Sequence, residues 1–372
     1  MAKKRTRNLR ASVFLAAALA SSVLLHATAG PGDGASASAF SDIAAIPAAT
    51  APAHAGSTSI TPAPAVTYAP SGDATPDPVP DRDLPTAIEV PHAEQLASTV
   101  ANVPFTTAVD CGGYMCQVRL DIYVPTGPGP YPTLVLLRGG PGGMGARSYL
   151  ANFATAVAET GILVFSADYR DSPVVGGGYP QAFADASCAV RFARTEASKY
   201  GGDSSTVTVA GHSLGGWVGS VISLGAREFT GGCLDATGSG RPDAFVGLSG
   251  CYDLSSSSVA SEMSFFFANQ PASARTASDP LKIALGSPIP VRLVAGTADG
   301  SVYPTASVML NTMLAGRGWD TALTMVPGGV HSSILWTDYL GGSFAAIFTA
   351  ISKADAIWDI NDAAAPTPTS TP

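Results

Sequence analysis

The ten residues 207–216, Val-Thr-Val-Ala-Gly-His-Ser-Leu-Gly-Gly, constrain the fold more than any other part of the 372-residue chain. Residues 206–210 are apolar or β-branched and uncharged, which is typical of a buried strand. Residues 214–228 are largely apolar and free of proline, which predicts a helix. A serine between a strand and a helix lies on a sharp turn that requires small neighbours, here Gly211 and Gly215. Because such a turn presents the hydroxyl to a base, Ser213 is predicted to be a nucleophile.

Short apolar segments alternate with amphipathic ones along the rest of the chain. The predicted strands cover residues 103–108, 117–124, 133–137, 162–168, 206–210, 244–248, 291–295 and 322–326. The predicted helices cover residues 147–159, 181–200, 214–228, 303–315 and 333–351. This alternation predicts an α/β fold, a mostly parallel eight-stranded sheet with helices on both faces. Reactive groups are then expected at the carboxyl ends of the strands.

The base that activates the serine is expected to be one of only five histidines. Three of them, at positions 26, 54 and 92, precede the predicted core, and His212 adjoins the serine, so its side chain is expected to point away. His331 follows the last predicted strand and is therefore the predicted base. The acid that orients it should follow a strand between the serine and the histidine. Asp299 fits that position best, and Asp253 is the alternative.

Two backbone amides are needed to hold an oxyanion during acyl transfer. One is the Leu214 N–H at the start of the predicted helix. The second is expected from the glycine-rich loop after strand 133–137. Pro141 in that loop has no N–H, so Gly140 and Gly142 are the predicted donors.

The first 29 residues predict a cleaved secretory signal, with five basic residues, an apolar run at 11–25 and an Ala-Thr-Ala site at 27–29. The apolar run is short for a membrane span, so no integral span is expected in the mature protein. Residues 30–87 are rich in Ala, Pro, Ser and Thr and predict a disordered linker. The catalytic domain is then expected at 88–360 and a disordered tail at 361–372. This arrangement predicts a secreted or cell-envelope protein.

The charge of the chain argues against nucleic acid as a partner. The formal net charge is −8, and loss of the five basic signal residues makes it −13. An acidic protein repels phosphate backbones.

Five cysteines in an exported chain predict two disulfides and one free thiol. Cys111 and Cys116 are close enough in sequence to join the two sides of a hairpin. Cys188 and Cys233 lie on or after helices that right-handed crossovers place side by side. The rival pair, Cys233 with Cys251, would have to span a strand, which leaves Cys251 free near the site.

Residues 253–279 form an insertion between two predicted strands that is large enough to cover the site. Tyr252 and the run Phe265, Phe266 and Phe267 are the predicted substrate contacts. Three consecutive aromatic residues cannot share one helix face. Either one of them turns inward and shortens the acyl pocket, or all three belong to the core. The first alternative predicts short-to-medium acyl esters as substrates.

Together, these motifs resemble those of the α/β-hydrolases, and within them the hormone-sensitive-lipase-like carboxylesterases. The similarity runs from about residue 117 to 350. Besides the motifs around Ser213, Asp299 and His331, it includes Asp-Tyr-Arg at 168–170, Gly-Tyr-Pro at 178–180 and Tyr-Gly-Gly-Asp at 200–203. The resemblance implies hydrolysis of small-molecule esters through an acyl-serine, without a metal or organic cofactor.

The loop at 138–145 departs from that family. Arg138 and Pro141 replace the first and last residues of its usual His-Gly-Gly-Gly. The Gly-Gly-Pro-Gly-Gly run is instead similar to the loop of proline iminopeptidases, so a serine aminopeptidase is the alternative function. Those enzymes carry a large helical cap, whereas only about 35 residues separate two predicted strands here. A non-catalytic binding module on a hydrolase fold is the third possibility.

Overall fold

A computed structural model of the protein describes residues 97–140, 145–234, 237–336 and 340–364, with side chains up to 357. The predicted signal and linker, residues 1–87, lie outside the described residues. Ten strands are described: β1 Ser98–Pro104, β2 Val109–Asp110, β3 Met115–Cys116, β4 Arg119–Val124, β5 Tyr131–Leu137, β6 Leu163–Ala167, β7 Gly202–His212, β8 Ala244–Leu248, β9 Val291–Gly296 and β10 Thr321–Val326. Seven α-helices accompany them: α1 Ala151–Glu159, α2 Gln181–Glu196, α3 Leu214–Leu224, α4 Ala260–Phe266, α5 Ala272–Thr276, α6 Thr305–Ala315 and α7 Leu340–Ala364.

Eight of the strands form one sheet in the order β1-β4-β6-β5-β7-β8-β9-β10. β1 pairs antiparallel with β4, and β4 pairs antiparallel with β6. Every pair from β6 to β10 is parallel. The predicted mostly parallel, eight-stranded sheet is therefore confirmed.

Alternate residues of the central strands face opposite sides of the sheet, as extended backbone requires. Phe165, Val209 and Leu293 belong to one apolar core, which α2, α3 and α6 cover. Their neighbours in sequence face a second apolar core under α1 and α7. Burial on both faces explains why these strands are apolar throughout.

Several predicted boundaries differ from the structure. β1 begins five residues before the predicted first strand. It is followed by a short hairpin, in which β2 and β3 have two residues each. α3 ends at Leu224 rather than at residue 228, because Gly225 is extended and a glycine interior is unfavourable to a helix. α7 continues to Ala364, four residues past the predicted domain end, through alanines that favour a helix.

The structure contains both predicted disulfides. Cys111 and Cys116, 5.8 Å apart at Cα, join the hairpin, and Cys188 and Cys233, 5.0 Å apart, join α2 to the segment after α3. Cys251 is a free, buried thiol. Within the described ranges, no helix is both long and apolar enough to cross a membrane.

Candidate active site

Ser213 lies on a tight turn between β7 and α3. β7 is one of the two central strands of the eight-stranded sheet. Its φ of 55° is in the left-handed region, which a residue with a side chain seldom adopts. The turn is crowded: a Cβ at Gly211 would lie 2.2 Å from the carbonyl oxygen of Gly215, and one at Gly215 would lie 2.2 Å from that of Arg138. Only glycine fits at either position, which is the reason for the Gly-x-Ser-x-Gly spacing.

The structure brings Ser213, His331 and Asp299 into one hydrogen-bonded series. The Ser213 Oγ lies 2.8 Å from His331 Nε2, and His331 Nδ1 lies 2.8 Å from Asp299 Oδ2. A proton on Nδ1 donated to the carboxylate leaves Nε2 as the acceptor for the serine hydroxyl. This is the geometry in which an imidazole can deprotonate the serine.

Asp299 is held rigidly at the carboxyl end of β9. Its second oxygen, Oδ1, accepts hydrogen bonds of 2.9 Å from the backbone amides of Ser301 and Val302. Burial alone would raise its pKa, but hydrogen bonds from His331 and Val302 and the charge on His331 outweigh burial, and the pKa is lowered. Asp299 therefore stays ionised as a partner for the imidazole.

Asp253, the alternative acid, has other partners. Its Oδ1 accepts a 3.0 Å hydrogen bond from the backbone amide of Ser255 in a local turn. The residue that contacts His331 is Asp299, which lies 32 positions before it in the chain. Of the two alternatives, the structure brings Asp299 to the histidine.

Two predicted oxyanion donors flank the serine. Leu214 is the first residue of α3, and Gly140 follows β5, the strand that pairs with β7. Neither amide has a hydrogen-bond acceptor among the residues that the structure describes. The third predicted donor, Gly142, lies outside the described residues.

The expectation that the His212 side chain points away from the site is wrong. Its ring lies against that of His331, with ring centroids 4.7 Å apart, and its Nε2 is 3.0 Å from the carbonyl oxygen of His331. The pKa of His212 is lowered to about 4, mainly by burial and secondly by the charge of His331. The ring is therefore uncharged at neutral pH, and its Nε2–H donates to that carbonyl. Sequence reasoning missed this contact, since 119 residues separate the two histidines.

Cys251 is buried directly beside the nucleophile, and its amide donates to the carbonyl oxygen of Ser213 at 3.2 Å. Burial raises the pKa of its thiol to about 12, although a hydrogen bond with the Ser213 side chain opposes that shift. A nucleophilic cysteine needs a thiolate. Cys251 is therefore an uncharged neighbour of the nucleophile at neutral pH.

The predicted substrate contacts are largely part of the core, which corrects that prediction. Tyr252 is fully buried against the backbone of Gly247 and Gly250. Phe266 is buried with its ring 4.5 Å from that of Trp217, because α4 packs onto α3. Phe267 is partly buried and also contacts Trp217, and Phe265, with 42% of its surface accessible, faces outward. Tyr252 and Phe266 thus offer no surface to a ligand in this structure.

A cavity of about 520 Å³ lies near the far end of α3 from the serine. Its lining includes Val221, Arg227, Phe229 and Ile283 and none of the residues Ser213, Asp299 and His331. The cavity is therefore separate from the hydrogen-bonded series. No group of three or more His, Cys, Asp or Glu side chains in the described part of the chain is arranged to hold a metal ion.

A sequence profile of the family BD-FAE matches residues 120–314, slightly more than half of the chain. The chain belongs to the BD-FAE family. The match contains the strand-turn-helix around Ser213 and reaches past Asp299. It ends before His331, so the predicted base lies outside the part that the profile covers.

Curated relatives of this BD-FAE chain carry esterase names. A probable isoprenylcysteine alpha-carbonyl methylesterase of Arabidopsis thaliana is 26% identical over 273 residues, which is 67% of this chain and 63% of the relative. A second one from the same plant is 29% identical over 37% of this chain and 29% of its own length. Esterase LipC of Mycobacterium tuberculosis is 32% identical over 33% of this chain and 31% of its own length. The chain thus spans less than two thirds of each relative.

Solved structures share the fold of this BD-FAE chain. A truncated carbohydrate esterase from gut microbiota has a TM-score of 0.58 at 21% identity and covers 70% of this chain and 99% of its own. Esterase 2 of Thermogutta terrifontis, phosphonylated by sarin, has a TM-score of 0.54 at 20% identity over 69% of this chain and 93% of its own. Together with the sheet order and the strand-turn-helix, these likenesses confirm the predicted α/β-hydrolase fold.

Proposed function

We propose that the protein is a secreted serine carboxylesterase for short-to-medium acyl esters. The observation that carries the proposal is the series of 2.8 Å contacts from Asp299 through His331 to Ser213. It ends beside the amides of Gly140 and Leu214, neither of which has an acceptor among the residues that the structure describes. A nucleophile, a base, an acid and two donors are the full set that acyl transfer requires.

The reaction follows from that geometry. The Ser213 Oγ attacks the ester carbonyl carbon while His331 Nε2 takes the hydroxyl proton. The carbonyl oxygen gains the negative charge and accepts hydrogen bonds from the amides of Gly140 and Leu214. When the carbonyl re-forms, the alcohol leaves with the proton from His331, and an acyl-serine remains. Water, deprotonated by the same imidazole, then releases the acid and restores Ser213.

Three further observations support the proposal. The first concerns ester rather than amide chemistry, the second concerns export, and the third concerns the limited acyl length. The curated relatives are named as esterases or methylesterases. The two disulfides are typical of proteins from oxidising compartments, which supports export through residues 1–29. Met263 and Phe266 anchor α4 in the core, unlike the mobile amphipathic lid that covers a lipase site.

The test compares the wild-type chain with Ser213→Ala on p-nitrophenyl acetate and butyrate and on amino-acid p-nitroanilides. We expect the wild-type chain to hydrolyse the esters and not the anilides. In Ser213→Ala, kcat for the esters should fall by about 10⁴-fold or more. A fluorophosphonate probe should label Ser213 and leave the alanine variant unlabelled. Ser220→Ala is the matched control, because its hydroxyl lies on the same helix and only donates to the carbonyl of Trp217.

Each other outcome supports a different function. Cleavage of the anilides instead of the esters would favour a serine aminopeptidase of the proline-iminopeptidase kind, to which the Gly-Gly-Pro-Gly-Gly loop is similar. Absence of turnover and of probe labelling would favour a non-catalytic binding module. Full ester activity in Ser213→Ala would overturn the proposed nucleophile.

A further inference from the structure

Arg138 is a fully buried cation directly after β5, where the sequence departs from the usual His-Gly-Gly-Gly. Its guanidinium donates through Nη1 to the carbonyl oxygen of Gly140 at 2.8 Å and lies 3.4 Å from that of Gly139. Nη2 donates to Asp171 Oδ2 at 3.0 Å and to the Tyr169 carbonyl at 3.1 Å. The guanidinium therefore contacts the backbone of the proposed oxyanion loop on one side and a buried carboxylate on the other.

The contact with Gly139 determines where the next amide points. The Gly139 carbonyl and the Gly140 N–H belong to one trans peptide, because the cis peptides in the described residues are at Pro130 and Pro180. In a planar trans peptide, the carbonyl and the N–H point in opposite directions. Since the Gly139 oxygen faces the guanidinium, the Gly140 N–H points away from it.

The same peptide lies directly beside the nucleophile. A Cβ placed on Gly139 would be 2.7 Å from Ser213 Cβ and 2.9 Å from His212 Nδ1. Gly139 and Gly140 are partly exposed, whereas Arg138 beneath them is fully buried. The Gly140 N–H thus points toward the open side of the site, where a carbonyl oxygen attacked by Ser213 would carry its charge.

A second ion pair holds the chain at Gly145, beyond the proposed donor. Asp168 accepts hydrogen bonds from the backbone amides of Gly145, at 2.6 Å, and Arg147, at 2.9 Å. The same carboxylate lies 3.5 Å from Arg138 Nε. Burial opposes the charge on Arg138, but Tyr169, Asp171 and Asp168 outweigh it and raise its pKa. Arg138 is therefore a permanent cation that contacts the backbone carbonyls of Gly139 and Gly140 and lies beside the carboxylate that accepts from Gly145.

We propose that Arg138 is a positioning residue that directs the Gly140 N–H at the oxyanion, and so acts on the transition state rather than on substrate binding. The proposal rests on the proposed serine esterase function. Arginine suits this role because its planar guanidinium can donate hydrogen bonds to carbonyls and to a carboxylate in fixed directions, whereas the ammonium group of a lysine cannot. Tyr169, whose ring lies 4.6 Å from the guanidinium carbon, holds that plane in place.

The test measures kcat and KM on p-nitrophenyl butyrate for Arg138→Lys and Arg138→Met. We expect kcat to fall about 10-fold in Arg138→Lys and about 10²-fold in Arg138→Met, with KM within threefold, since loss of one oxyanion donor costs about 10²–10³ in kcat. Affinity for a trifluoromethyl ketone, which forms an oxyanion on the serine, should fall in parallel with kcat. Arg138→Lys keeps the buried charge, so it tests the proposal even if Arg138→Met does not fold.

Asp185→Asn is the matched control for stability. It weakens a different buried ion pair, in which Arg170 Nε lies 2.9 Å from Asp185 Oδ2, and leaves Arg138 and its partners unchanged. We expect a lower Tm with kcat within threefold of wild type. If Arg138→Lys keeps wild-type kcat, or if Asp185→Asn loses as much kcat as the arginine variants do, the proposal is wrong. Failure of the esterase function itself would look different, because the wild-type chain would then be inactive.

Discussion

The imidazole of His212 packs against the imidazole of His331 and donates to its backbone carbonyl over 3.0 Å. His212 therefore positions His331, the residue that is proposed to deprotonate Ser213. Gln can reach the same carbonyl through its side-chain amide, whereas Ala cannot. We expect kcat to fall about 10-fold in His212→Ala and less in His212→Gln, measured on a p-nitrophenyl ester.

The same contact predicts a pH dependence of stability. The pKa of His212 is about 4 in the fold and about 6.5 in an unfolded chain, so the unfolded state binds the extra proton between those values. Stability contributed by the neutral ring is complete above pH 6.5 and is lost as the pH falls toward 4. Between pH 7 and pH 4, the free energy of unfolding should drop by up to about 3 kcal/mol more in the wild type than in His212→Gln. This value follows because each unit of pKa difference corresponds to about 1.4 kcal/mol. Urea unfolding at pH 7, 5.5 and 4 measures this difference, and equal slopes would contradict it.

The assignment of the acid can be tested with a matched pair. Asp299→Asn keeps the shape but removes the charge that orients and stabilises the imidazolium, so kcat should fall about 10³–10⁴-fold. Asp253→Asn changes an aspartate of similar position after β8 that contacts Ser255, and kcat should stay within twofold. The reverse ranking would transfer the role to Asp253.

The two disulfides should differ in their effect on stability. In the chain-entropy model the stabilisation grows with loop length, giving about 4 kcal/mol for Cys188–Cys233 and about 2 kcal/mol for Cys111–Cys116. Paired alanine variants, Cys188→Ala with Cys233→Ala and Cys111→Ala with Cys116→Ala, can be compared by denaturant unfolding. Non-reducing peptide mapping of the wild-type chain should yield the same two pairs and an unpaired Cys251.

The acyl-length profile distinguishes an esterase from a lipase. Each methylene buried in the acyl site contributes about 0.8 kcal/mol only while room remains for it. We expect kcat/KM to rise from acetyl to about butyryl and then to fall, with no increase above the critical micelle concentration. A series of p-nitrophenyl esters from C2 to C16 measures it. A maximum at C10 or longer, or activation at micelles, would mean that the segment around Phe265 moves as a lid.

Much of the fold follows from local patterns, because apolar strands buried on both faces are evident in the sequence. The turn around Ser213 is just as local, since Gly211 and Gly215 are needed within two residues of the serine. Asp299 and His331 followed from their positions after strands, and the structure brings both to Ser213. These predictions needed only the order of elements and not their detailed packing.

Contacts between distant residues could not be predicted in this way. Arg138 was identified only as a departure from a family motif, since its partners Asp168 and Asp171 lie about 30 residues away on another strand's carboxyl end. The run at 265–267 was predicted to contact substrate, with burial in the core as the alternative, because a run of aromatic residues does not reveal that Trp217 would cover one of them. In both cases the determining contact depends on which elements pack together.

Ser213, Asp299 and His331 follow strands that differ in how well the sheet protects them from local unfolding. Ser213 follows β7, which has partners on both sides, whereas His331 follows β10, the strand at the edge of the sheet. Among the strands that the structure describes, β10 pairs with β9 alone, and most of its residues are at least partly exposed. Opening of an edge is less costly than opening of the centre. Partial unfolding would therefore withdraw His331, the proposed base, first, and the proposed activity would disappear while most of the sheet remained native.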